Sequence, residues 1–279
     1  MDRDILKAGA IMELMRPLNC AMAGFGALLG YWLSVGYVAL PASALLVAAS
    51  TFIICGAGQA INDYYDYAVD RKAKKARPIP SGRLTAREAQ SVALALFFLG
   101  IAVAFYANQA AFGVAVAFSI LLYVYSSRLS GLKYFGNAVV ALSNAFVFVM
   151  GASISGNYSV VAILATASFF LTWAREITKD LEDYKADLGK KHTLPMLVGK
   201  RGAANAAILS TIVSIAIAVV PFAFKMTDSF LFAAILAVSI VVFLQAMLLL
   251  LAGKFKASQQ YYKYGMLIAL LAFTSLLLP

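Results

Sequence analysis

The chain has 279 residues, of which 62% are hydrophobic and only 13% charged, and it carries a formal net charge of +10. So few charged side chains cannot cover the apolar surface of a water-soluble globule, so the composition excludes a soluble fold and points to a bilayer. It does not point to a nucleic-acid partner, because the basic residues are divided among five segments that alternate with apolar stretches.

Ile5 to Met15 reads as an amphipathic helix, and residues 1–16 as an interfacial segment. Asp2, Asp4 and Glu13 make it unlike the basic lead of a signal peptide. Apolar stretches then recur at about 18–37, 42–61, 89–107, 110–126, 136–153, 158–174, 204–224, 230–252 and 262–278. At about 1.5 Å rise per residue each can cross a hydrocarbon core of about 30 Å. The expectation is an all-α membrane protein of nine transmembrane helices in one bundle, forming a single domain over 1–279. Cys20 and Cys55 fall inside apolar spans and read as small core residues.

Basic residues near span ends mark the cytoplasmic side. Here 22 of the 23 Lys and Arg lie on one set of alternate loops and only Lys225 on the other, which predicts a cytoplasmic N-terminus and an outside C-terminus. The outer connections are short. The longest cytoplasmic ones, 64–88 and 175–203, are the expected active-site loops.

Those loops hold the acid. Of 13 acidic residues, nine fall between Asp63 and Asp70, at Glu88, or between Glu176 and Asp187. Asn62, Asp66 and Asp70 are spaced i, i+4, i+8, and Asp180, Asp183 and Asp187 i, i+3, i+7, so each set forms a stripe on a helix that continues out of the membrane. Like charges at this spacing repel by a few tenths of a kcal/mol per pair on an exposed helix, and by more where desolvated. Solvated helix ends neutralised by Arg71, Lys72, Lys179 and Lys185 would account for one cluster. Two clusters on one membrane face point instead to a cation. The donors are all oxygen, with only His192 nearby, which suits Mg²⁺ above Zn²⁺ or Cu, and Mg²⁺ commonly completes its shell with water and substrate phosphate. Arg71, Arg77, Arg128, Lys133 and Lys179 are candidate phosphate ligands. Arg16 and Asn19 are candidates for holding an acceptor or orienting the metal site. Asp63 and Glu182 point off the stripes.

The paired motifs after the second and sixth spans resemble the UbiA superfamily of intramembrane prenyltransferases over essentially the whole chain. Arg16-Pro17-Leu18-Asn19, Arg77-Pro78-Ile79-Pro80-Ser81-Gly82, Gly136-Asn137 and Thr193-Leu194-Pro195 add to the likeness. The basic stretch at 71–76 departs from the family, which has a shorter run there. Within the superfamily the chain is most similar to the archaeal ether-lipid enzymes. That likeness implies transfer of a geranylgeranyl group from its diphosphate to the hydroxyl of geranylgeranylglyceryl phosphate, with two Mg²⁺ held by Asn62, Asp66 and Asp70 and by Asp180, Asp183 and Asp187. It also sets the helix end bearing Tyr123 and Tyr125 against the diphosphate, where a ring face can meet the allylic cation. The expected partners are an isoprenoid diphosphate, a lipid-like acceptor and membrane lipids, and no protein partner is implied. The alternatives are an aromatic acceptor and, outside the enzymes, a secondary transporter. Coupling acids of a transporter are expected near the bilayer midplane, where this chain has no charge.

The charge asymmetry predicts that a cysteine introduced at Lys74 reacts with an impermeant reagent only from the cytoplasmic side, and one at Asn157 only from outside. Labelling in the opposite sense would overturn the orientation.

Overall fold

Apolar runs punctuated by Pro, Gly and capping side chains become helices in the computed structural model, which describes residues 3–72, 77–129, 133–188 and 192–278. The order is α1 (Arg3–Met15), α2 (Pro17–Val35), α3 (Ala42–Lys72), α4 (Ala86–Ala107), α5 (Gln109–Val124), a π-helical turn (Tyr125–Leu129), α6 (Lys133–Ala152), α7 (Ser159–Glu182), α8 (Tyr184–Asp187), α9 (Leu194–Ala218), α10 (Val220–Ala223), α11 (Phe230–Leu251) and α12 (Phe255–Ser275). No strand occurs among the described residues.

The boundaries have local causes. Pro17 opens α2 and Gly36 closes it in the left-handed conformation. Thr85 and Glu88 form a reciprocal capping box at the start of α4. The Asn108 side chain accepts from the Ala111 N–H at 2.6 Å, turning α4 into α5 within one residue.

Among the described residues, eight helices are long and apolar enough to cross a membrane. The expected stretch at 262–278 falls largely on α12, a 21-residue helix whose first half carries Lys256, Gln259, Gln260 and Lys263. The expected loops are also more regular than the sequence suggested. Helix α3 continues to Lys72, and 175–203 is mostly helix: the end of α7, α8, and the start of α9, which turns at left-handed Gly199. Amphipathic α1 is confirmed as a helix. Its Ala10 and Leu14 are buried in a cluster with Ile54, Ala57 and Ile61 of α3. Lys7 meets Glu88 at 2.7 Å, and Arg83 grips Glu13 with both terminal nitrogens, at 2.5 and 2.9 Å. That grip holds the Glu13 carboxyl below the usual carboxylate range.

Lipid is as apolar as leucine, so helices in a membrane associate through close packing and interhelical polar contacts. Both are present. Ser50 Oγ donates to the Gly100 carbonyl, Ser214 Oγ to Ala167 and Ser258 Oγ to Ala246, each at 2.7–2.8 Å. Helices α2 and α6 touch backbone to backbone: a Cβ on Gly30 would lie 2.2 Å from the Phe148 oxygen, and one on Gly151 only 1.8 Å from the Ala27 oxygen. This contact sets the height and rotation of α6, whose first turn reaches the site described below.

Gly151→Ala must therefore push α2 and α6 apart and should lower stability by about 2–3 kcal/mol or more. Gly113→Ala, in α5 with nothing within 4 Å of its Cβ, should be neutral or gain about 0.5–1 kcal/mol. Thermal unfolding of the two variants in detergent measures the contrast, and equal midpoints would refute the close-packing account.

Candidate active site

The end of α3 presents the first group of polar side chains. Asn62 and Asp66 are half-buried, one turn apart, and the Asn62 amide donates to Asp66 Oδ2 at 3.2 Å. Asp70 continues the helix, but its side chain lies outside the described residues, as does that of Lys133 at the start of α6.

Contacts run from this row to the second one through a chain of neighbours. The Tyr65 hydroxyl donates to that of Tyr123 at 3.2 Å, their rings edge to face at 6.2 Å. Two residues on, Tyr125 opens the π-turn, and its ring lies on the bare backbone of Gly136, where a Cβ would come within 3.0 Å of it. π-turns recur at functional sites because the extra residue re-aims the side chains that follow; here these include Arg128, which is exposed. The next residue of α6, Asn137, donates its amide to Asp180 Oδ2 at 2.7 Å. Two oxygen-donor rows from helices far apart in sequence are thus linked through side chains of α5, the π-turn and α6.

The second row differs from a single continuous stripe. Helix α7 ends at Glu182, and the chain bends at Asp183 before α8, so Asp187 is set by a break in the helix. The Asp183 carbonyl accepts from the Asp187 N–H at 3.0 Å, and Lys200 Nζ sits 4.4 Å from the centre of the Tyr184 ring, tying α8 to α9. Asp180 is 1% and Asp187 8% exposed, whereas Asp183 is half-buried. A carboxylate so far from water needs donors around it, and Asn137 supplies one for Asp180.

The candidate basic residues divide. Arg71 packs over Tyr67 and donates to its hydroxyl at 3.1 Å. Lys179 lies 3.9 Å from Glu176, which also pairs with Arg175. Asn19 is exposed on the first turn of α2, its backbone N–H on the Arg16 carbonyl. Arg16 and Arg77 instead converge on Asp63. Arg16 Nη2 lies 2.7 Å and Arg77 Nη1 2.9 Å from the same oxygen, Oδ1, and Arg16 Nη1 also donates to Gln59 Oε1 at 2.5 Å. Arg16 holds a left-handed backbone, φ 54°, ψ 68°, a conformation costing a non-glycine residue about 1–3 kcal/mol.

Sequence reasoning set Asp63 aside because it leaves the stripe, and it gave Asn137 no role. Their signal was present: a carboxylate at the end of an apolar span, and an amide in the first turn of another, each require a partner. Thr193, at the start of α9, is fully buried and its hydroxyl finds no partner among the described residues. His192 is exposed, as expected of a solvated side chain.

Among the described residues, no group of three or more His, Cys, Asp or Glu side chains is gathered so that it could hold a metal ion by itself. The donors nevertheless fit a hard cation that shares its shell with substrate. They are oxygens only, Asn62 with Asp66 and Asp180 with Asp183 and Asp187, and Mg²⁺ takes one or two carboxylates with water or phosphate filling the rest.

The profile of the UbiA prenyltransferase family matches residues 23–275. A digeranylgeranylglyceryl phosphate synthase of Methanothrix thermoacetophila is 35% identical over 266 residues, with 94% of this chain and 97% of the relative aligned. A solved structure concerned with digeranylgeranylglyceryl phosphate synthase in membranes superposes with a TM-score of 0.87 at 30% identity, covering 97% of this chain and 99% of the other. A UbiA homologue from Archaeoglobus fulgidus, solved with DMAPP and Mg²⁺, shares the fold at 19% identity and a TM-score of 0.65, with 96% and 98% of the two chains covered. The chain belongs to the UbiA prenyltransferase family.

Proposed function

We propose that this prenyltransferase transfers a geranylgeranyl group from its diphosphate to the free hydroxyl of geranylgeranylglyceryl phosphate, forming an ether bond of archaeal lipids. The observation that carries the reading is the 35% identity along nearly the whole chain to a synthase of that name; the Asn62–Asp66 pair on α3 and the Asp180 carboxylate held by Asn137 supply oxygen donors that suit it.

Mg²⁺, as two ions, would be held by Asn62, Asp66 and Asp70 on α3 and by Asp180, Asp183 and Asp187 on α7 and α8. The Mg²⁺ bound with DMAPP in the Archaeoglobus homologue supports a divalent cation in this family. Bound there, the metal would supply positive charge to the diphosphate as the C–O bond breaks. The chain does the rest. Asn137 keeps Asp180 oriented towards the site. Tyr65 and Tyr123, joined through their hydroxyls, put aromatic surface beside the first row, where a ring face favours an allylic cation over bulk water. The diphosphate leaves with the C–O bonding pair, the acceptor hydroxyl oxygen then adds to the allylic cation, and the hydroxyl proton passes to the released diphosphate. Arg71, Arg128, Lys133 and Lys179 are assigned to the diphosphate, and so is Tyr125, whose position at the start of the π-turn suits that role.

The same reading makes the chain one multi-pass domain of the cell membrane, with α12 as a ninth span, the N-terminus and the site cytoplasmic, and the C-terminus outside. The positive loops support it.

Two measurements test it. Purified enzyme given labelled geranylgeranyl diphosphate should prenylate geranylgeranylglyceryl phosphate and leave hydroxybenzoate untouched, EDTA should stop turnover, and Mg²⁺ should restore it. Full activity without metal, or preference for the aromatic acceptor, would sink the proposal. Asp66→Asn and Asp183→Asn, each removing one charge at constant volume, should lower the rate about 10²- to 10³-fold while the protein stays folded. Glu88→Gln should retain near-normal rate, since glutamine keeps an oxygen for the Thr85 cap and gives up only the exposed pair with Lys7.

A further inference from the structure

Asp63 is the carboxylate of the first acidic segment that the metal chemistry does not use. It follows Asn62 directly, so it projects about 100° around α3 from Asn62 and about 60° from Asp66. Its side chain is 4% exposed, yet it receives guanidinium groups from two separate places: Arg16, at the junction of α1 and α2, and Arg77, in the connection between α3 and α4. Both reach the same oxygen, so two like charges are held closer together than they would settle unaided. The Arg16 backbone takes a left-handed conformation at the place where its guanidinium also reaches Gln59. The carboxylate is sealed while the cations are not: the side chains of Arg16 and Arg77 remain 34% and 31% exposed.

A carboxylate can hold two arginines for structure alone; what points further here is that both arginine side chains keep part of their surface open. Two forks converged on a buried carboxylate, each with part of its surface open, suit an oxyanion with several acceptor oxygens arranged tetrahedrally. Asp63 leaves the face of α3 that carries Asn62 and Asp66, which gives the arginine pair a face of its own and room for an anion other than the diphosphate. On the acceptor proposed above, that second anion is the phosphate monoester at the end of the glycerol.

We infer that Arg16 and Arg77 form the seat for the acceptor's phosphate monoester, and that Asp63 is the positioning residue that holds them together. The inference rests on the proposed acceptor only for the identity of the bound molecule; the recognised chemistry is a phosphate monoester. No bond is made or broken at the seat. It fixes one end of the acceptor so that the glycerol hydroxyl can approach the allylic carbon.

The test uses the full-length protein in detergent, with wild type beside Asp63→Asn, Arg16→Gln, Arg77→Gln and Arg77→Lys. In all four variants KM for geranylgeranylglyceryl phosphate should rise about 10- to 100-fold, because the seat loses its forked geometry or its second charge. KM for geranylgeranyl diphosphate and the Mg²⁺ dependence should move by no more than about twofold. Independently of turnover, glycerol phosphate should raise the melting temperature of wild type, and glycerol should not. The shift should vanish in Arg77→Gln. Arg77→Lys keeps the charge near Asp63 and guards against loss of fold in Asp63→Asn.

A rise in donor KM in place of acceptor KM would make the pair part of the diphosphate site and overturn the inference. Unchanged KM for both substrates with an unchanged melting shift would reduce Asp63, Arg16 and Arg77 to a structural clasp and overturn it too. If wild type bound glycerol phosphate through these arginines yet prenylated no phosphate acceptor, the seat would stand and the proposed function would fall. Prenylation insensitive to the arginines would have the opposite meaning.

Discussion

A carboxylate removed from water at the end of a membrane helix must be met by donors or cations, and that requirement organises the polar end of this protein. Asp63 is met by two guanidiniums, Asp180 by the Asn137 amide, and Asp66 by the Asn62 amide one turn away. Each contact satisfies a group whose burial without a partner costs roughly 1–3 kcal/mol, more when it is charged. The contacts of Asp63 and Asp180 also tie together segments that the apolar core alone would leave at arbitrary rotations. The polar contacts are therefore at once the condition for burying these carboxylates and the means by which the site acquires its shape.

The bundle beneath them acts through contact distance. Because lipid offers no hydrophobic drive for one helix to prefer another, the α2–α6 interface relies on glycines that bring backbones together, and a single methyl at Gly151 would collide with the Ala27 carbonyl. This fixes α6, and α6 presents two adjacent residues to the site: Gly136, whose missing side chain admits the Tyr125 ring, and Asn137, which reaches Asp180. Packing within the membrane and chemistry at its edge are thus coupled through one helical turn.

Amphipathic α1 adds a third tie. Leu14 and Ala10 bury it against α3, two ion pairs anchor it to the start of α4 and the loop before it, and its last turn hands the chain to Arg16. A segment that could have served only as an interfacial anchor leads directly into the cationic pair at Asp63. The left-handed turn at Arg16 is where the direction of the chain changes between the helix that lies outside the bundle and the helix that enters it.

Much of this was legible in the chain. Apolar run length announced a helical membrane bundle, and spacing placed Asn62 and Asp66 one turn apart on one helix, because both signals are periodic and local. The helical extension of α3 to Lys72, the break at Asp183 and the polar first half of α12 were not, since a run of charged residues reads the same whether it is a loop or a helix held by its neighbours. Nor were the pairings. Asn137 and Asp180 are 43 positions apart, and Arg16 and Asp63 are 47. Spacing along a helix predicts which side chains share its face; which residue of another helix meets them depends on how closely the backbones pack and how each helix is turned, and these are properties of the assembled bundle.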